Sequence, residues 1–122
     1  MEGTTGKKVY DLEERTEQFA GNIAIVCNSL PRSISNVEFA RQVIRSSGSI
    51  GANYIEANEA LSAKDFIYRI KICRKEAKES ALWIRLLMRT NGQDERKVLE
   101  PLHTEAIELK KILSAIAKRS IG

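Results

Sequence analysis

The arrangement in this sequence that most resembles a catalytic centre is Glu100-Pro-Leu-His103, a carboxylate and an imidazole one helical turn apart. Di-iron carboxylate bundles use two such motifs, together with a glutamate from each of two further helices. His103 is the only histidine in the chain, so the second motif cannot be formed. The cysteines, Cys27 and Cys73, are far apart and make no Cys-x-x-Cys, so no tetrahedral zinc set can be assembled. Both fall inside helical patterns and read as small buried hydrophobes of a reducing compartment, with a disulfide as the alternative. Glu56 with Glu59, and Glu76 with Glu79, are carboxylate pairs at helical spacing; surface salt bridges account for them more simply than acid–base chemistry. Phosphate-loop, dinucleotide and nucleophile-elbow motifs are missing. The expectation is a protein without catalytic residues, metal or cofactor.

The chemistry that the residues do support is recognition of negative charge. Lys64, Lys71, Arg74, Lys75, Lys78, Arg85 and Arg89 form a single-sign stripe along one helical stretch. Read blandly, this is a solvated face relieved by Glu76 and Glu79 one turn away. Read functionally, Lys71, Arg74, Lys75, Lys78, Arg85 and Arg89 track phosphates, giving sequence-independent, salt-sensitive affinity. Tyr68 and Trp83 lie off this face, so bases have little to stack on. Structured RNA or duplex nucleic acid therefore fits better than a single strand.

The same stretch has a second apolar sector, made by Tyr68, Ile72, Leu82, Trp83 and Leu86. A lone bundle cannot bury both sides of one helix, so either the neighbouring helices wrap further round it or, the favoured reading, this sector meets another subunit, with Glu79 partnered across the contact if buried. Upstream, Ser49, Asn53 and Glu56 recur at three- to four-residue spacing and read as a polar network tying their helix to a neighbour. A ligand or nucleic-acid contact is the other reading. Gly48 and Gly51 flank that network. A glycine inside a helix costs about 1 kcal/mol relative to alanine, so close approach of a neighbouring backbone is expected there.

Four helices must position these groups. From Asp11, the residues Leu12, Thr16, Phe19, Ile23, Val26 and Leu30 make an amphipathic stripe that Pro31 stops. Ser35-Asn-Val-Glu38 reads as a capping box for a second helix, Asn36 to about Ala60, the expected centre of the bundle. Its stripe is Ala40, Val43, Ser47, Ile50 and Tyr54, continued by Asn58 and Leu61. Ser62-Ala-Lys-Asp65 starts a third helix, Ala63 to about Thr90, with Phe66, Ile70, Cys73, Ala77, Ala81, Ile84 and Met88 inward. Asn91-Gly92 suits a left-handed C-cap. The fourth helix, from Asp94, presents Val98, Leu102, Ala106, Leu109, Leu113 and Ile116; Pro101 either kinks it or marks its true first turn, and a continuous helix with a local defect is the favoured reading.

Such lengths and short connections specify an all-α, up-down-up-down antiparallel four-helix bundle in one domain, residues 10–119, after a disordered segment at 1–9. The 122 residues, 43% hydrophobic and 30% charged, suit a soluble globular chain. The start lacks the apolar run of a signal peptide and no stretch could span a membrane, so a cytoplasmic protein is expected. The net charge of +4 favours polyanions mildly and decides nothing alone.

Two segments carry a family resemblance. Ser49-Ile-Gly-Ala-Asn-Tyr-Ile-Glu56 resembles the Ser-Ile-x-x-Asn-Ile-x-Glu-Gly signature of the four-helix-bundle proteins encoded in 23S ribosomal RNA intervening sequences. Asp65-Phe-Ile-Tyr-Arg-Ile-Lys-Ile-Cys-Arg-Lys-Glu-Ala-Lys-Glu-Ser-Ala-Leu-Trp-Ile-Arg-Leu-Leu87 resembles that family's third helix. The resemblance covers residues 10–118 and departs from the pattern at Ala57, where the family usually has glycine. It implies a homopentamer around a central channel. The chain is also similar to the accessory proteins of diversity-generating retroelements, whose basic barrels bind a reverse transcriptase and nucleic acid. Two functions follow as expectations. The first is a non-enzymatic oligomeric module that binds structured RNA or other nucleic acid. The alternative is a ring-shaped scaffold for a partner enzyme, without nucleic-acid contact.

Overall fold

The computed structural model describes residues 11–121, and the segment expected to be disordered, residues 1–9, lies outside them. Four helices follow one another: α1 (Leu12–Ser29), α2 (Ile34–Asn58), α3 (Ala63–Arg89) and α4 (Gln93–Ile121). Among the described residues there is no strand. Cross-helix contacts set the direction of each pair. Asn36 meets Asn91, Ser46 meets Ser80 and Asn53 meets Arg69, so α2 and α3 run antiparallel. Asn58 bonds Glu13 near the other end of the α1–α2 pair, which is antiparallel as well. The result is the expected all-α four-helix bundle. Its centre differs from the expectation: α3 packs extensively on both α2 and α4, whereas α1 packs on α2 and only lightly on α4.

Local chemistry sets each helix end. Asp11 Oδ1 accepts from the Glu14 amide at 3.1 Å, and Glu13 and Glu14 complement the positive end of α1. The cap of α2 is Ser33, not Ser35: extended at φ −139°, it accepts from the Asn36 amide at 3.1 Å. Both serines offer the same hydroxyl. Starting the helix at Ser33 turns Asn36 inward, where its side chain bonds Pro31 and Asn91. Ser62 caps α3 onto the Asp65 amide as expected.

The expected left-handed cap at Gly92 does not form. Asn91 Nδ2 donates to the Leu87 carbonyl at 2.8 Å and closes α3. The Gly92 carbonyl instead accepts from the Arg96 amide, and Glu95 Oε1 reaches back to the Gly92 amide, so Gly92 begins α4. Pro101 sits within a continuous α4, which forgoes one backbone hydrogen bond there.

The core follows the predicted stripes with three corrections. Leu61 is 98% exposed because α2 has already ended. On α4, Leu99 is buried and Val98 is 46% exposed, a one-residue rotation of the inward face. On α3, Leu87 is buried and Met88 only partly so. The two helical glycines also differ. A Cβ on Gly51 would lie 3.2 Å from Thr16 Oγ1, so α1 approaches closely there, while Gly48 is exposed and faces open space. Close approach explains Gly51 alone. No helix of the structure is long and apolar enough to cross a membrane.

Candidate nucleic-acid interface

The 27 residues of α3 must bury one side against α2 and another against α4. At 3.6 residues per turn this leaves an outward sector, and the sequence fills it with cations. Lys71, Lys75, Lys78, Arg85 and Arg89 are exposed and Arg74 is half-buried, with Lys64 also exposed at the start of the helix. Glu76 does not relieve them. It is turned inward and buried, and its Oε1 has no hydrogen-bond partner among the described residues. The single ion pair among the described residues is Arg15–Glu105, 2.7 Å, which ties α1 to α4. The α3 cations are thus left with solvent as their main partner.

The basic face does not stop at α3. Arg85 Nη1 lies 3.2 Å from His103 Nε2 on α4. For that contact to be a hydrogen bond, the guanidinium donates and a neutral imidazole accepts through Nε2. Partial burial, with the nearby Arg85 charge, holds His103 below its ordinary value, while Glu100 pulls the other way. Lys110 is seven residues beyond His103 and so shares its side of α4. Lys110 is half-buried, and Lys111 and Lys118 further along are exposed. Sequence reasoning missed this contribution from α4. The antiparallel packing sets the C-terminal half of α4 beside the N-terminal half of α3, and which faces then adjoin is visible only in the fold.

The other predicted residues divide. Tyr68 is 60% and Leu82 is 40% exposed, while Ile72 and Leu86 are half-buried. Trp83 does not join them outward: it stacks on Phe39 of α2, with ring centroids 6.1 Å apart, and belongs to the α2–α3 contact. The polar network is real for two of its three members. Asn53 Nδ2 donates to Ser49 Oγ and to the Ser49 carbonyl, each at 3.0 Å, and Arg69 Nη1 donates to Asn53 Oδ1 at 2.9 Å. Glu56 is exposed and makes no bond to them among the described residues. Two buried contacts escaped the sequence reading: Ser46 with Ser80 at 2.7 Å, and Cys73 Sγ donating to the Ile50 carbonyl at 3.4 Å.

Among the described residues no three His, Cys, Asp or Glu side chains are grouped to hold a metal. Cys27 and Cys73 are free thiols, pushed by burial up to about 11 and about 12 respectively, far from a reactive thiolate. What the surface offers is a two-helix band of cations in which Tyr68, a helical turn from Lys64 and Lys71, is the one exposed ring on α3.

Comparison with known proteins agrees with the four-helix fold. The sequence model of the family described as 23S rRNA-intervening sequence protein matches residues 8–115. A solved structure from Bacteroides thetaiotaomicron VPI-5482, a protein of unknown function from the S23 ribosomal protein family, is similar at 32% identity and a TM-score of 0.75. The similarity covers 87% of this chain and 97% of that one. No curated protein matches the chain.

Proposed function

The chain belongs to the family of 23S rRNA-intervening sequence proteins, and from that premise we propose that it is a non-enzymatic, cytoplasmic, oligomeric module that binds structured nucleic acid. The observation that carries this reading is the cationic band itself. Lys71, Arg74, Lys75, Lys78, Arg85 and Arg89 lie on one face of α3, with no carboxylate ion-paired to them among the described residues. Phosphates are the ligands that such a band attracts, and each neutralised phosphate adds about 0.9 to the salt slope of binding to a duplex. Structured RNA or duplex DNA is favoured over single strands because Trp83 is stacked inward on Phe39 and Tyr68 alone on α3 offers an exposed ring beside Lys64, Lys71 and Lys75. The pentamer implied by the family resemblance would repeat the band around a ring. The exposed Tyr68 and Leu82 supply apolar surface for that self-association.

A second reading, a scaffold for a protein partner, is favoured by the same exposed apolar residues. One experiment separates the two. Binding of the intact protein to a labelled RNA hairpin and a labelled DNA duplex is followed across a salt series, beside a Lys71→Glu/Lys75→Glu variant. Under the nucleic-acid reading the variant binds weakly and its salt slope falls by about 2. Equal affinity for wild type and variant, or no binding at low salt, would overturn that reading and leave the scaffold.

A further inference from the structure

Away from the cationic band, the corner where α1 turns into α2 is concave. A groove of about 470 Å³ there is lined by half-buried Cys27, Leu30 and Val37 and by more exposed Ile44, with Arg32 and Arg41 exposed at its edge. A shallower depression shares Arg32 and Val37 and continues to Ile34 and Glu38. Ile34 is 92% and Ile44 is 42% exposed, so the apolar lining runs from inside the groove out to its mouth. Neither arginine is ion-paired among the described residues.

The charge of this corner has a sign. Arg32 and Arg41 carry two positive charges against one carboxylate, Glu38, whose Oε2 accepts from the Gln42 amide at 3.2 Å. α2 starts here with no acidic residue in its first turn, and α1 ends here with no basic residue in its last. The two helix ends contribute opposite partial charges of about half a unit each and largely cancel. The corner keeps a net charge of about +1 over an apolar floor. A phosphate backbone needs a run of cations and gains nothing from that floor. A peptide with acidic and large apolar residues side by side uses both.

We propose that this α1–α2 corner docks a protein partner through a short acidic segment with an apolar anchor. The anchor displaces water from Leu30, Val37 and Ile44, while flanking carboxylates meet Arg32 and Arg41. Charge complementarity at the edge selects the partner, and the apolar floor holds it. The surface lies on the helix pair opposite the cationic band, so the two can be tested separately.

The test uses the intact protein and a short fluorescein-labelled peptide, with a central Phe-Leu pair between Asp and Glu residues. The same peptide with Lys at each acidic position is the control. Anisotropy reports binding, and the slow alkylation of Cys27 by N-ethylmaleimide at mildly alkaline pH, followed over long exposure by mass spectrometry, reports location. Cys73 is fully buried, so it does not obscure the signal. The acidic peptide should bind about ten-fold tighter than its control and slow Cys27 alkylation, and Arg32→Glu/Arg41→Glu should remove about that ten-fold. Both arginines are exposed, so this variant folds. Equal binding of the two peptides, an unchanged Cys27 rate at saturation, or indifference to the double variant would each overturn the proposal. So would displacement of the peptide by duplex DNA, which makes the corner a polyanion site. Concentration-dependent protection of Cys27 without peptide also would, since a second copy then fills the groove.

Discussion

Asn36 and Asn91 face each other amide to amide, each donating to the other's Oδ1, at 2.8 and 2.7 Å. Their remaining hydrogens go to the Pro31 carbonyl and the Leu87 carbonyl, both at 2.8 Å. One pair of side chains therefore ties the α1–α2 turn, the start of α2 and the end of α3. Asn36 is 4% exposed, so the amides have little water to fall back on. Replacing either by alanine strands its partner, and Asn91→Ala should lower unfolding stability by about 1–3 kcal/mol. Urea denaturation of both single variants and the double variant checks this. The double variant should cost clearly less than the two singles summed, because the second loss finds nothing left to strand.

The two glycines of α2 predict opposite behaviour. At Gly48 an added methyl meets open space, so Gly48→Ala should gain about 0.5–1 kcal/mol from helix propensity. At Gly51 the same methyl lies 3.2 Å from Thr16 Oγ1, which already donates to the Leu12 carbonyl at 2.7 Å. Thr16 is fully buried and has little room to give, so Gly51→Ala should forfeit that gain and come out neutral or destabilising. Thermal melts of the two variants side by side decide it. A destabilised Gly48→Ala variant would point to a close neighbour at that position from a second copy of the chain.

These residues also show how far the sequence could be read. Periodicity placed Phe19, Ile23, Val43, Ile50, Ile70, Ala77, Ile84, Leu109 and Leu113 in the core because a long helix with one apolar stripe has one way to bury it. Ends were harder. Ser33 and Ser35 offer identical capping chemistry, and only the inward turn of Asn36 distinguishes them. Val98 and Leu99 are adjacent apolar residues, and the packing of α4 chooses between them. The cations of the candidate interface were legible as a stripe on α3. The share from Lys110 and Lys118 was not, because which faces of α3 and α4 adjoin is a tertiary fact. Glu56 shares a helical spacing with Ser49 and Asn53, but Arg69, from another helix, completes that network instead.

If the interface spans both helices, charge reversal on α4 should act like charge reversal on α3. Lys110→Glu/Lys118→Glu should weaken duplex binding and flatten its salt slope by up to about 2. Fluorescence anisotropy at several salt concentrations measures both. An unchanged slope would confine the interface to α3.

His103 gives the fold a mild acid sensitivity. The folded chain holds His103 below its ordinary value, through partial burial and then the Arg85 charge, opposed by Glu100. The unfolded chain therefore takes up the proton more readily. The stability involved is complete above about pH 6.5 and is lost as pH falls toward the folded value. His103 is half-buried only, so solvent screens the effect and keeps it small. His103→Gln should flatten the slope of stability against pH between about 5 and 7. Denaturant midpoints across that range report it, and an equal slope in both proteins would rule His103 out as its source.

Glu76 is the residue whose burial asks most of the fold. It is 8% exposed, and its Oε1 has no hydrogen-bond partner among the described residues. Its neighbours on the α2 side of α3 are neutral: Cys73 bonds the Ile50 carbonyl, and Ser80 bonds Ser46. Arg69, two turns earlier, is engaged by Asn53. A buried carboxylate oxygen without a donor forgoes hydration without full compensation. Glu76→Met keeps the length and removes the unpartnered oxygen, so it should raise stability by about 1–3 kcal/mol. Urea midpoints measured with sedimentation on the same samples give the answer. A gain with unchanged assembly mass fits a carboxylate that only burdens the fold. A loss of stability or of mass would mean that a second subunit supplies Glu76 with a donor.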